Sequence, residues 1–200
     1  MKILYSALTD YFWMHVIEVV NSMAELGHEV HVAAFLRSRP KRLHPSVAFY
    51  NITLRNRGWR EFCDPVFWRE LLHWGRKRLA TGPICSFYEC WLEDIMDTVR
   101  FDLVYERNCF ANPGTVLANR RGIPSILEFN GFWPVEAEWK GYPVDQVRRF
   151  LKQEVSAARH ATRVVCVGRG ARDCYVAQGV DPNKFHIIAN GVNPDLFDPL

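Results

Sequence analysis

Short apolar runs of strand length alternate with helix-length segments along the whole chain, and no other feature restricts its fold as much. The runs are Lys2–Ser6, Glu29–Phe35, Val47–Thr53, Leu103–Tyr105, Ser125–Phe129, Arg163–Val167 and Phe185–Ile188. Most are too apolar to leave one face wet, so they belong in a sheet covered on both sides, which parallel pairing with helical crossovers provides. The expected fold is α/β: a Rossmann-like, doubly wound, mostly parallel sheet of about seven strands with helices on both faces.

The intervening segments carry helix signals. Val16, Val19, Val20, Met23 and Leu26 fall on one helical stripe, and Gly27-His28 follows where a left-handed residue would close the helix, completing a β-α-β unit. A second helix over 113–121 stops at Gly122-Ile123-Pro124, and a third over 171–178 closes at Gly179-Val180. The stretch from Arg55 to Val99 reads as two or three helices broken at Asp64-Pro65 and Gly82-Pro83. At 200 residues and 48% apolar, the chain has enough for one core of single-domain size. That domain is expected over 1–190, and 191–200, with Pro194 and Pro199, as the start of a linker leaving it. No apolar run approaches the roughly 18 residues of a membrane span, and the opening run is too short for a secretion signal, so a cytoplasmic location is expected.

The net charge of +3 is unevenly placed: Arg37–Ala80 holds eleven basic residues against three acidic ones, leaving the rest of the chain net acidic. Within that region, the 55–80 segment interleaves Trp59, Trp68 and Trp74 with Phe62, Val66, Phe67, Leu71 and Leu72 at near-helical spacing. Two readings stay open for it: a core-facing helix with a charged wet side, or a peripheral contact with an anionic membrane surface, which would be the inner face of the membrane. No nucleic-acid signature accompanies the charge, so nucleic acid is not an expected partner. Cys63, Cys85, Cys90, Cys109, Cys166 and Cys174 contain no C-x-x-C pair and read as reduced thiols. Cys85, Cys90 and His73 lack the second ligand pair that a zinc site requires, and no metal is expected.

In an open α/β sheet the ligand sits beyond the carboxyl ends of the strands. Four of those ends are polar: Asp10-Tyr11 after the first, Glu106-Arg107-Asn108 after the fourth, Asn130-Gly131-Phe132-Trp133 after the fifth, and Gly168-Arg169-Gly170 after the sixth. Together they form a rim of donors and acceptors suited to a polyol. Gly168-Arg169-Gly170 precedes a helix and could receive a phosphate on its backbone N–H groups. It is not G-x-G-x-x-G, because Asp173 holds the third position, so a nicotinamide cofactor is disfavoured. A Walker loop and a G-x-S-x-G elbow are both absent from the sequence, which removes two further enzyme classes. His15, at the start of the first helix, can serve as a base or orient a hydroxyl, or can simply cap the loop. Glu136 and Glu138, between Trp133 and Trp139, pair carboxylates with aromatic faces as a sugar site would, or face solvent on a short helix.

Tyr105-Glu106-Arg107-Asn108, Arg120-Arg-Gly-Ile-Pro124, Leu127-Glu-Phe-Asn-Gly131, Val164-Val-Cys-Val167, Gly179-Val-Asp181, Ile187-Ile-Ala-Asn-Gly-Val192 and Leu196-Phe-Asp-Pro199 follow one another in an order that resembles the retaining glycosyltransferases of group 1, family 4. The opening Met1-Lys-Ile-Leu4, His15-x-x-Glu18 and Leu26-Gly-His-Glu-Val30 are similar to that family's first β-α-β unit. There are departures. Asp10-Tyr11 stands where many members carry a glycine pair near the donor phosphates, Ala161-Thr162 replaces Ala-Asp, Gly168 replaces a serine, and Ala189 replaces a proline.

The resemblance implies one half of a GT-B architecture: an N-terminal, acceptor-side domain whose sugar-nucleotide partner domain lies beyond this chain. It implies sugar transfer from a nucleotide donor to a hydroxyl acceptor with retained configuration, with the nucleotide sugar as substrate and no cofactor or metal. The acceptor would be a glycan, a lipid-linked glycan or a small hydroxyl compound, and the isolated chain would be inactive. On this reading His15 is catalytic, orienting the reacting hydroxyl. Asp10, Glu106, Arg107, Asn108, Glu128, Asn130, Glu136 and Glu138 line the acceptor site, Arg107 and Asn130 binding acceptor hydroxyls or an acceptor phosphate, with Glu106 or Glu128 fixing Arg107. Gly168, Arg169, Gly170, Asn190 and Gly191 border the phosphate side of the cleft. The alternative is a non-catalytic binding or membrane-docking module derived from this fold.

Overall fold

The computed structural model describes residues 1–7, 13–34, 39–51, 83–109 and 112–191. Asp10, Tyr11, the basic 55–80 segment and residues 192–200 lie outside them.

Seven parallel strands form one sheet in the order β3-β2-β1-β4-β5-β6-β7. They are β1 (Lys2–Ala7), β2 (Glu29–Ala34), β3 (Ala48–Asn51), β4 (Leu103–Arg107), β5 (Ser125–Phe129), β6 (Arg163–Cys166) and β7 (Phe185–Ile187). The helices are α1 (Trp13–Glu25), α2 (Pro83–Thr98), α3 (Pro113–Arg120), α4 (Trp133–Trp139), α5 (Val144–His160) and α6 (Arg169–Ala177). All seven expected strands are present, and pairing is parallel throughout.

Alternation along the strands sorts the two faces. Ile3, Tyr5, Ala7, Val30, Val32, Ala34 and Tyr105 pack against Val16 and Val20 of α1. Their neighbours Leu4, Ala33 and Val104 face the other way, onto Tyr88, Leu92, Ile95 and Met96 of α2 and Leu117 and Ala118 of α3. On that second face, Leu127, Phe129, Val164 and Cys166 meet α5 and Tyr175 of α6. Each fully buried leucine in these layers contributes about 1.5–3 kcal/mol of apolar burial. Leu26 departs from the expected stripe: it is 76% exposed, because α1 ends at Glu25 and the chain turns away through Gly27 at φ +84°.

The strand order reverses direction between β1 and β4, since β1 connects leftward to β2 while β4 connects rightward to β5. Right-handed crossovers place α1 and α3 on opposite faces and open a crevice between them at the carboxyl ends of β1 and β4.

α3 is held at that crevice in an unusual way. Its N-cap Asn112 is left-handed (φ 44°, ψ 59°), a conformation asparagine tolerates, and its side chain turns back to accept from Cys109 N and donate to Asn108 instead of capping the helix. The orphan N–H groups of Gly114 and Thr115 donate to Glu106 on β4, at 2.8 and 2.6 Å. A Cβ on Gly114 would stand 2.9 Å from Glu106 Oε1 and 3.1 Å from Ser6 Cβ. Gly114→Ala is therefore expected to destabilise the fold by about 1–3 kcal/mol in urea unfolding, against the stabilisation of up to about 1 kcal/mol that alanine brings in an open helix. A gain in stability would show that the helix does not approach the strand this closely.

Candidate functional site

One carboxylate organises the crevice on the α1 face. Glu128, near the end of β5, pairs in register with Arg107 at the end of β4, so both side chains emerge on the same side of the sheet. His15, in the first turn of α1, reaches over from above. Glu128 Oε1 lies 2.8 Å from His15 Nε2, accepts from Asn130 Nδ2 at 2.9 Å and ion-pairs with Arg107 at 3.5 Å, while Oε2 accepts from the Tyr105 hydroxyl at 2.8 Å. Tyr105 stacks on Tyr5 of β1 with ring centroids 5.0 Å apart, and Arg107 faces the Tyr5 hydroxyl from the same side. Burial pushes the Glu128 carboxyl up, but the hydrogen bonds it receives from His15, Tyr105 and Asn130 outweigh it and hold the group below the usual carboxylate range.

Exposure divides this cluster into an upper and a lower tier. The side chains of Glu128 and Arg107 are only 3% and 7% exposed, whereas that of His15 is 28% exposed and Asn130 is half-buried. Arg107 thus lies beneath the rim as the partner of Glu128, and His15 and Asn130 are the members that solvent or a ligand can reach.

The other expected site residues separate by position. Glu106 is not on the rim: it is fully buried on the opposite face, capping α3 and accepting from Ser6, and burial raises its carboxyl despite those bonds. Its contacts are to α3 and β1, and it is Glu128 that pairs with Arg107. The Asn108 side chain is committed inward, donating to Glu154 at 2.6 Å and accepting from Asn112 at 2.9 Å. Glu136 is half-buried on α4, close against the Gly131 backbone and 3.9 Å from Lys140, and Glu138 is exposed. The rings nearby are partly spoken for: Trp133 contacts Tyr142 and Phe150 and carries Lys140 over its face, while Trp139 is 82% exposed. α6 begins at Arg169, earlier than expected, so Gly168 is its N-cap and Gly170 lies in its first turn. A Cβ on Gly168 or Gly170 would meet open space, so packing alone does not require glycine at either position. Asn190 and Gly191 are exposed beyond β7.

Glu154 is the polar residue that sequence reasoning missed. It is 4% exposed on α5, accepts from Asn108 and from the Tyr175 hydroxyl at 2.8 Å, and is pushed up to about 7 by burial, with those two bonds opposing and the Glu136 charge reinforcing the shift. Its signal was available: Glu154 sits on the inward stripe of α5, between Leu151 and Val155. Ser6, bridging Glu106 and Tyr88, had no comparable signal.

Cys90, Cys109, Cys166 and Cys174 form no disulfide, and burial pushes the Cys166 thiol up to about 12. Among the described residues no three His, Cys, Asp or Glu side chains are grouped to hold a metal ion, and no helix is long and apolar enough to cross a membrane.

The sequence pattern that defines Glycosyltransferase Family 4 matches residues 13–196, nearly the whole chain. The chain belongs to Glycosyltransferase Family 4. No curated protein sequence matches it significantly. Solved structures share the family 4 domain's fold at low identity. The UDP-GlcNAc 2-epimerase from Methanocaldococcus jannaschii superposes with a TM-score of 0.61 at 11% identity, over 95% of this chain and 46% of the epimerase. Anabaena Alr3699/HepE in complex with UDP-glucose gives 0.61 at 13% identity, over 98% of this chain and 45% of its own. S. aureus MnaA, solved with UDP, gives 0.57 at 12%, over 94% and 43%. The family 4 domain therefore spans less than half the length of these three proteins.

Proposed function

We propose that this chain is the acceptor-side domain of a retaining glycosyltransferase, holding the hydroxyl acceptor while a second domain supplies the nucleotide sugar. The observation that carries the reading is the Glu128 cluster at the switch point of the sheet: a buried carboxylate with Arg107 and Tyr105 beneath it and two reachable polar groups, His15 and Asn130, above. Membership of the family supports sugar transfer, and the nucleotide-sugar proteins of the same fold are each about twice as long, which supports a division between two domains. His15 and Asn130 contact acceptor hydroxyls, and Arg107 and Glu128 hold those two side chains from below. Catalysis in such a division consists of positioning the acceptor against a donor whose departing diphosphate is stabilised elsewhere.

Calorimetric titration of the 200-residue chain with a panel of nucleoside-diphosphate sugars tests the division of labour. No binding tighter than about 10 μM, some −7 kcal/mol, is expected. Tighter binding would place the nucleotide on this domain and overturn the reading.

A further inference from the structure

The contact between His15 and Glu128 determines more than position. A carboxylate can only accept hydrogen bonds, and Glu128 does so from Asn130 and Tyr105 while pairing with Arg107, so every group gathered on it presents a proton or positive charge. His15 Nε2, 2.8 Å from Oε1, must then carry the ring proton of the neutral imidazole. The other nitrogen, Nδ1, is left with its lone pair, and among the described residues none bonds to it. We infer that Glu128 is a positioning residue that fixes His15 as its Nε2–H tautomer, so that Nδ1 meets the acceptor by receiving a hydrogen bond from a hydroxyl.

This deepens the acceptor-site reading and rests on it, and it restricts the chemistry at that contact. A hydroxyl has a proton to give to Nδ1. A fully ionised phosphate has none and would place its charge against a lone pair, so the acceptor group seated at His15 is a neutral hydroxyl. The geometry supports the assignment from both ends. Glu128 is held ionised by the bonds it receives, and its carboxylate, only 3% exposed, is also bonded by Tyr105 and Asn130 and faces Arg107.

Nitrogen-15 NMR of the histidine-labelled 200-residue chain reads the tautomer directly, with His15→Gln identifying the signal among the seven histidines. At a pH where the ring is neutral, the Nε2–H form is expected to exceed the Nδ1–H form at least about tenfold, and in Glu128→Ala that ratio should fall by about tenfold, as the loss of one hydrogen bond to a charged group implies. Because Glu128→Ala also removes the carboxylate that faces Arg107, Glu128→Gln is measured beside it: its carbonyl can still accept from Nε2, so the wild-type tautomer should persist. A wild-type proton on Nδ1 overturns the inference, as does an unchanged ratio in Glu128→Ala or loss of the tautomer in Glu128→Gln. The experiment uses no substrate, so its failure would leave the acceptor-site reading standing, whereas that reading fails on the nucleotide-sugar titration.

Discussion

Replacing Glu128 with alanine is expected to lower the stability of this domain by about 3–5 kcal/mol, because the substitution removes a buried counter-charge that faces the buried Arg107 guanidinium. For a domain of this size that corresponds to a fall in Tm of roughly 10 °C. The buried Tyr105 hydroxyl loses its acceptor at the same time, which adds to the cost. The effect belongs to the pair rather than to the carboxylate alone. A chain carrying Glu128→Leu and Arg107→Met together should therefore be more stable than Glu128→Ala, with a coupling between the two positions of at least about 1 kcal/mol in a double-mutant cycle. Strict additivity would mean that the 3.5 Å ion pair contributes nothing to the fold.

The second large effect is a loss of stability as pH rises, centred on Glu154. Its carboxyl is raised by burial to about 7 in the folded chain, well above the ordinary range of the unfolded one. A raised carboxyl binds its proton more tightly folded than unfolded. Its contribution is thus fully present below about pH 4.5 and is lost as pH climbs through about 7. The loss across that window is on the order of 2–3 kcal/mol. Glu106, also raised by burial, works in the same direction, while Glu128, held low, costs stability only under more acidic conditions. Glu154→Gln keeps the shape and removes the titration, so urea unfolding of that variant should be flatter in pH between about 4.5 and 7 than that of the wild type. An identical pH dependence in the two chains would place the titration elsewhere.

Much of the fold was legible because strand-length apolar runs have few places to go. Ser125–Phe129 matches the expectation residue for residue, and Gly27, Gly122 and Gly179 each take the positive φ that a helix-closing position requires. The helix after β6 was placed two residues late, because Gly168-Arg169-Gly170 reads as a loop when the cap cannot be seen. The rim was legible in outline for the same reason that strand ends in any doubly wound sheet are polar.

Which rim residues look outward was not legible. Glu106 and Arg107 are adjacent in the chain, and alternation alone sends them to opposite faces. Only the neighbours on those faces decide that one caps α3 and the other pairs with Glu128. Asn108 illustrates the same limit: its commitment to Glu154 spans 46 positions of sequence and depends on how α5 returns across the sheet.

By itself the sequence determined the layer architecture, the strand set and the family, because these follow from hydrophobic periodicity, turn chemistry and short ordered motifs that are local along the chain. Tertiary structure alone decided that Glu128 gathers His15, Arg107, Asn130 and Tyr105, that Glu106 is a helix cap, and that Glu154 is buried. Those outcomes depend on register and crossover, which bring together side chains more than 100 positions apart, as in His15 and Glu128, and set the hydrogen bonds that hold the Glu128 carboxyl ionised.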